Sequence, residues 1–410
     1  MKTVYDVLEE ANAQKNIKNF MELQKLPYEQ KIRHAREVSW SFFNEAKKRG
    51  YKVHLSIGGL DSITLHYFLE SIGIYVPCVS VSSIEPKGVR AVHQKIKSEM
   101  DENYSSWFSD HGALEQKQID EIEDSELKAQ EQHLHDCAGA KPEMIFLKPL
   151  KSKVEILNEF GWPVLSKEIA GKVALLQNPT AKNATVRHAI ITGETGAYGG
   201  FKTGSRMKLS QRWLEKFGGA DPEGRSLGYQ ESPYKVSDRC CYYLKERPCD
   251  DYARQNNSVP FLGLMASEGG RRQKALMLHG CNYFGKSTIR SCPFAIFSRN
   301  DLLRLALELS VPVPEEYGEI EKLPDGSLRT TKAQRTGCTM CGFGIHLEKR
   351  PHRFDLLARE NPQEWDFWMN RVCKDSEGNF YGWGAILDYI GVEWRPDEQL
   401  TLFDEQGRDE

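Results

Sequence analysis

Residues 51–81 constrain this chain more than any other stretch. "YKVHLSI" has the apolar, β-branched character of a short strand, and "GGLDS" is a glycine-rich turn. "SITLHYFLESIG" is helical, and "IYVPCVSV" is again strand-like. Two strands joined through a helix run parallel, because the crossover brings the chain back in the same direction. A parallel sheet needs helices over its faces. The chain is therefore expected to be an α/β protein. "EMIFLKPL", "HAIITGE", "VPFLGLMA" and "CPFAIF" are further apolar strand candidates.

The flanks are helical. Residues 1–50 are polar and charged, with an amphipathic stretch "YEQKIRHAREVSWSFFNEAKKRG" that stops on Gly50. Residues 94–142 are highly charged and read as a solvated helical insertion. "SKVEILNEFGWPVLSKEIAGKVALLQ" is helical on both sides of Pro163, and "RFDLLARENPQEWDFWMNRVC" is helical and tryptophan-rich. The expected organisation is a helical extension (1–50), an α/β domain carrying the insertion (51–346) and a helical tail (347–410).

Charge and composition remove several function classes. A net charge of −3 gives no global basis for nucleic-acid binding. No apolar run reaches the roughly 20 residues of a membrane span, and "MKTVYDVLEEANAQKNIKNF" has no secretory h-region. A cytoplasmic location is the expectation, and the ten cysteines are then thiols, metal ligands or catalytic groups rather than structural disulfides.

In "VHLSIGGLDS", Gly58 and Gly59 allow a ligand close to the backbone. The helix that follows offers N–H groups and a positive dipole end, which suits a phosphate. Ser62 adds a hydroxyl, and Asp61 is suited to capping the helix or orienting the loop. The GK[ST] ending of a Walker A loop is missing.

Two cysteine features stand out. "DRCCYYLKERP" holds Cys240 beside Cys241, and "RTGCTMCGFG" holds Cys338 and Cys341 as C-x-x-C. By itself the C-x-x-C fits a zinc half-site, a redox pair or an iron–sulfur half-site. Adjacent cysteines serve one tetrahedral zinc awkwardly. They suit a cubane better, where each sulfur meets a different iron. Zinc and independent buried thiols remain alternatives, with Cys249, Cys281 and Cys292 as spare ligands.

Together these stretches resemble the phosphoadenosine phosphosulfate (PAPS) reductase family of PP-loop adenine-nucleotide α-hydrolases. "SIGGLDS" resembles its SGGxDS loop, with Ile57 in place of the first Ser, Ser56 one residue upstream, and Leu60 where the reductase branch often has Lys. "CCYYLKERP" and "GCTMC" resemble the CC…CxxC signature of adenylyl-sulfate reductases. "GLMASEGGRR" and "CPFAIFSRNDLLRLALELSVPVPEEY" resemble further family segments. The likeness covers roughly residues 50–346.

The resemblance implies a PP-loop α/β core. It implies an adenine nucleotide on Ser56, Gly58, Gly59, Leu60, Asp61, Ser62 and Glu268, with Mg²⁺. It implies a [4Fe–4S] cluster on Cys240, Cys241, Cys338 and Cys341. Lys167, Arg271 and Arg272 are the implied catalytic cations, with Lys202, Arg206 and His346 as further phosphate candidates and Lys245 as a basic residue beside the cluster. The family's C-terminal E-C-G-[IL]-H nucleophile is not found, and Cys373 is the one cysteine beyond the C-x-x-C. The expected activity is therefore ATP α–β cleavage coupled to sulfur transfer, with unidentified donor and acceptor, a nucleic acid among the possible acceptors, no membrane partner, and oligomerisation open. The alternatives are a sulfonucleotide reductase releasing sulfite and a non-catalytic binding module of a larger assembly.

Overall fold

The computed structural model describes residues 4–111, 120–123, 128, 142–194, 207–218, 232–286 and 288–395. Most of the charged insertion at 94–142 lies outside them, as do Cys137, Lys202 and Arg206; its first part continues the helix Lys87–His111. The chain forms two compact units, one of Met1–Pro149 with Arg247–Thr339, the other of Leu150–Glu246 with Met340–Glu410. This division differs from boundaries at 50 and 346. The N-terminal helices belong with the sheet, and the tail belongs with residues 150–246.

The first unit is built on six strands: β1 (Lys52–Ser56), β2 (Cys78–Ser80), β3 (Met144–Phe146), β4 (Ser258–Leu262), β5 (Asn282–Phe284) and β6 (Ile289–Ser291). Their order is β3-β2-β1-β4-β6-β5. All neighbours are parallel except β5, which runs antiparallel to β6. The mixed α/β class is thus as expected. Helix Tyr28–Lys48 buries Ala35, Ser39, Phe42, Phe43 and Ala46, a helical spacing that makes one face. Phe42 meets Phe261 of β4 edge-on at 5.1 Å. Helix Leu60–Ser71 is buried almost all round, so its sequence shows little amphipathic period.

Two strand expectations fail. "HAIITGE" lies in helix Ala184–Thr192, which ends on Gly193 in the left-handed region (φ 86°). Ile190 and Ile191 are buried there, so packing overrides the β preference of branched residues. "CPFAIF" follows β6 as a turn, with Ala295 N–H donating to Cys292 O (3.0 Å) and Phe297 N–H to Phe294 O (3.0 Å). An apolar run buried on every side carries no period to separate strand from turn.

In the second unit the described residues carry helices, isolated bridges and a small antiparallel ribbon, Cys373–Lys374 with Phe380–Tyr381. Its core holds Trp162, Trp213, Trp383 and Trp394. Among the described residues no helix is long and apolar enough to cross a membrane.

Candidate functional site

The strand order reverses at β1: β2 and β3 lie to one side and β4 to the other. In open parallel sheets this reversal leaves a crevice beyond the carboxyl ends of the strands, where ligands bind. The Gly58–Ser62 loop leaves β1 at that end, and Gly263 leaves β4 beside it. A Cβ on Gly263 would lie 2.8 Å from Ser62 N and 2.9 Å from the Asp61 carbonyl carbon. Glycine is needed there so that the β4 exit can touch the start of helix Leu60–Ser71.

The loop is held by its own groups. Gly58 N–H donates to Ser62 Oγ (2.7 Å), and the Ser62 hydroxyl donates to Gly59 O (3.0 Å). His93 Nε2–H donates to Gly58 O (2.8 Å), and its Nδ1 faces Ser80 Oγ at 3.3 Å. Leu60 N–H donates to Tyr317 Oη (3.2 Å), which is paired with Thr336 Oγ1 (2.9 Å). The Ser62 hydroxyl and the Gly58 and Leu60 amides, read from sequence as phosphate donors, are therefore engaged within the protein. Ser56 ends β1, its Oγ 3.5 Å from His54 Nε2. Burial pushes His54 down to about 4, so that ring is neutral at pH 7.

Gly58 and Gly59 differ. A Cβ on Gly58 would meet Glu85 Oε1 at 3.5 Å, an ordinary contact. A Cβ on Gly59 would lie 2.6 Å from Tyr317 Oη and 3.1 Å from Thr336 Oγ1. Tyr317 is buried and cannot retreat cheaply. Gly59 is thus required by the protein's own packing, whereas Gly58 is not.

Charge surrounds the loop. Asp61, on the first turn of the helix, accepts from Arg299 Nη1 at 2.5 Å. Burial raises the Asp61 carboxyl above its ordinary range; Arg299 and Arg335 oppose the shift and Glu268 adds to it. Glu268 has only 5% of its side chain exposed and holds Arg272 Nη1 with both oxygens at 2.7 Å. Arg335 Nη1 stands 3.9 Å from Glu268. Arg271 lies on the first turn of helix Gly270–His279, and its side chain is not among those described. Arg299, Tyr317, Thr336, Glu85 and Arg335 were not singled out from the sequence. The signal that finds them is hydrogen bonding across up to 257 residues of chain, which no local pattern encodes.

The cysteine-bearing segments fall differently. Cys338 belongs to the first unit, and Cys240, Cys241 and Cys341 to the second. Within the second unit, Trp162 bridges in parallel to Val236, and Leu165 to Phe343. Trp162 N–H donates to Lys235 O (2.8 Å), and Gly344 N–H to Leu165 O (2.6 Å). One extended segment, residues 162–165, therefore aligns the chain before Cys240 and the chain after Cys341. Cys240 and Cys241 end a single helical turn that widens into a π-helical stretch, Tyr242–Glu246, which also holds Lys245. Such widened turns often occur at functional positions. Cys240 is buried and Cys241 half-buried.

Lys167 contacts Glu246 at 2.5 Å. Burial lowers its ammonium pKa, but Glu246 and the nearby Cys241 and Asp238 outweigh that and raise it. Arg353 Nη1 donates to Cys341 O (3.1 Å). His346 packs against Trp213 and is lowered by burial and by Arg212. Among the described residues no three His, Cys, Asp or Glu side chains stand together as a metal-holding group. The donor chemistry nevertheless fits an iron–sulfur cluster: the four positions are all thiols, and Lys167 lies near Cys241.

The three spare cysteines, Cys249, Cys281 and Cys292, belong to the first unit. Cys281 and Cys292 are buried in the first unit, with thiols pushed up by burial to about 12 and about 11. Cys373, expected in a helical setting, sits in the ribbon beside Tyr381, 3% exposed. Burial pushes its thiol up to about 11. Cys249 lies half-buried in helix Arg247–Gln255.

Comparison of the chain with protein-family models, with curated proteins and with solved structures returned no match.

Proposed function

We propose that this chain is a PP-loop enzyme of the PAPS-reductase kind that cleaves ATP between the α- and β-phosphates and couples the cleavage to sulfur transfer. The observation that carries this reading is the place of the Gly58–Ser62 loop, at the carboxyl end of β1 where the strand order reverses. Ligands of parallel α/β sheets gather at that point.

An acceptor oxygen attacks the α-phosphorus, the bond to the bridging oxygen breaks, and pyrophosphate leaves with the electron pair. A sulfur nucleophile then attacks the activated carbon, forming C–S as C–O breaks and AMP departs. The chain's part is to position and neutralise the phosphates. The helix N-terminus contributes its dipole, and Arg272, fixed by Glu268, contributes positive charge. His93 fixes the Gly58 carbonyl, so the loop meets the nucleotide already shaped. The carboxylates Asp61, paired with Arg299, and Glu85 border the loop. They are the hard oxygen donors Mg²⁺ takes alongside phosphates, and Mg²⁺ would supply charge neutralisation there.

Cys240, Cys241 and Cys341 of the second unit would be thiol ligands of the [4Fe–4S] cluster, which supplies a sulfur-handling or electron-handling centre when bound. Lys167, paired with Glu246, would place a positive charge near Cys241. A sulfonucleotide reductase needs a reactive thiolate, and the burial of Cys373 argues against that cysteine in the role.

The test is one anaerobic preparation, analysed for iron and acid-labile sulfide and assayed with ATP, adenylyl sulfate and PAPS. About four iron and four sulfide per chain, with pyrophosphate from ATP and no sulfite, is the expected result. Sulfite release that Cys373→Ser abolishes would replace this reading with the reductase. Stoichiometric zinc without sulfide would remove the cluster.

A further inference from the structure

The loop that the proposed function relies on carries no cation of its own. Leu60 opens its helix and is fully buried and apolar, and Asp61 and Glu85 add negative charge. A polyphosphate binding there needs a positive partner from elsewhere in the fold, and Arg299 lies next to the loop. Its Nη1 is bound to Asp61. Its Nε and Nη2 are shielded from bulk water and have no hydrogen-bond acceptor.

These two atoms form one edge of the guanidinium plane, and their parallel N–H groups match two oxygens of a phosphate, sulfate or carboxylate. The rest of the group is held. Asp61 grips one nitrogen, the Tyr317 ring lies 5.8 Å from the guanidinium carbon, and Ser298 caps the helix that Arg299 begins. The side chain as a whole keeps 26% of its surface exposed; the Nε–Nη2 edge itself is covered by protein, so a ligand's oxygens reach it only where that cover gives way.

A surface arginine leaves N–H groups to water at no cost. A shielded pair without an acceptor is unfavourable, and an arginine cannot escape by losing its proton. The bond to Asp61 accounts for one corner of the group and leaves the paired edge unexplained.

We propose that Arg299 is an oxyanion-binding residue of the Gly58–Ser62 site. Its Nε–Nη2 edge takes two oxygens of the nucleotide's phosphate chain, and Asp61 is the positioning residue that sets the plane of the guanidinium. The inference rests on the proposed function for the identity of the ligand as a nucleotide. The assignment of an oxyanion to this edge rests on Arg299 itself. The ligand class it selects is the charged polyphosphate, as opposed to the bare nucleoside.

The experiment is calorimetric titration of the full chain, with Mg²⁺, using ATP, adenosine and inorganic pyrophosphate, on wild type, Arg299→Ala and Arg299→Lys. Thermal unfolding of each variant is recorded alongside. Arg299→Lys keeps a cation for Asp61 but loses the forked edge, so it tests the edge without leaving the carboxylate unpaired. The expected result is a loss of ATP and pyrophosphate affinity of roughly 10- to 100-fold in Arg299→Ala and a smaller loss in Arg299→Lys, with adenosine binding unchanged in both. The slope of log affinity against log salt should flatten in Arg299→Ala.

ATP affinity unchanged in folded Arg299→Ala and Arg299→Lys would overturn the assignment and leave the nucleotide reading standing. Equal losses for ATP and adenosine would also overturn it, because they mark a collapsed loop rather than a lost anion contact. Wild type that binds pyrophosphate through Arg299 but not ATP would keep Arg299 as an oxyanion residue and remove the adenine nucleotide. Wild type that binds none of the three would remove both.

Discussion

The two units solve the same problem, fixing a short stretch of chain, by different means. In the first, a parallel sheet fixes the Gly58–Ser62 loop, and the groups around it are backbone amides and carbonyls locked by His93, Ser62 and Tyr317. In the second, no central sheet stands among the described residues, and large aromatic rings fix the cysteine-bearing segments. Trp162 and Trp383 meet edge-on at 4.8 Å, and a Cβ on Gly342 would lie 2.3 Å from the Trp383 ring. The carboxyl end of a central strand sets the backbone of the loop in one fixed shape. Packing of rings sets individual side chains, which suits thiols. The loop of the first unit therefore depends on hydrogen bonds and close backbone approach, and the cysteine-bearing segments of the second on filled volume.

The largest effect that tests this contrast is expected in the second unit. Trp383→Ala should cost about 3–5 kcal/mol, the usual range for emptying a buried aromatic site. Denaturant unfolding followed by tryptophan fluorescence reads it well, because Trp162, Trp213, Trp365, Trp368, Trp383 and Trp394 all lie in or against that core. A loss under 1 kcal/mol would break the claim that rings hold this unit.

Next comes Gly263→Ala, where the new methyl meets the backbone of Asp61 and Ser62. Overpacking of this kind costs about 1–3 kcal/mol. The same variant should weaken ATP binding, because the helix start must shift. Tyr317→Phe should follow, at about 1–2 kcal/mol, because the shielded Leu60 N–H loses its acceptor and Thr336 its partner.

A smaller effect concerns pH. Burial, reinforced by Glu99, pushes Glu70 up to about 7, while His66, 3.5 Å from Glu70, is pushed down by burial to about 4 and stays neutral. Between about 4.5 and 7 the folded chain holds a proton on Glu70 that the unfolded chain has lost. Stability from this group is therefore present at low pH and falls as pH rises through 7. Glu70→Gln should gain stability over wild type as pH rises from 5 to 8, read by denaturant titration at both.

Gly58→Ala should change stability least, within about 0.5 kcal/mol, since only ordinary contacts await its methyl. It should still lower ATP affinity, because the methyl stands where the ligand approaches. Gly59→Val cannot serve this purpose: its first carbon already collides with Tyr317.

The sequence made the first unit partly legible because its strands are short apolar runs bounded by glycine and proline, and "GGLDS" marks the turn between β1 and its helix. β5 and β6 were missed. The hairpin is short, and "CPFAIF" beside it is apolar throughout without being a strand. The second unit was harder to read. Its extended segment 162–165 pairs with stretches about 70 and 180 residues away through bridges too brief to leave a period. At the site, Gly58, Gly59, Asp61 and Ser62 carry a local signature. Arg299 does not: its tie to Asp61 spans 238 residues, and surface arginines on a helix look the same in sequence. The cysteine doublet was visible, but the widening of the helix that carries it was not.

The most direct test of the account is hydrogen–deuterium exchange of the full chain with and without Mg²⁺–ATP, followed by peptide mapping. Nucleotide bound at the switch point of the sheet should slow exchange in peptides covering residues 57–63 and the exit of β4 at 262–266, and leave peptides covering 162–177 unchanged. Protection of 162–177 with no change at 57–63 would contradict it.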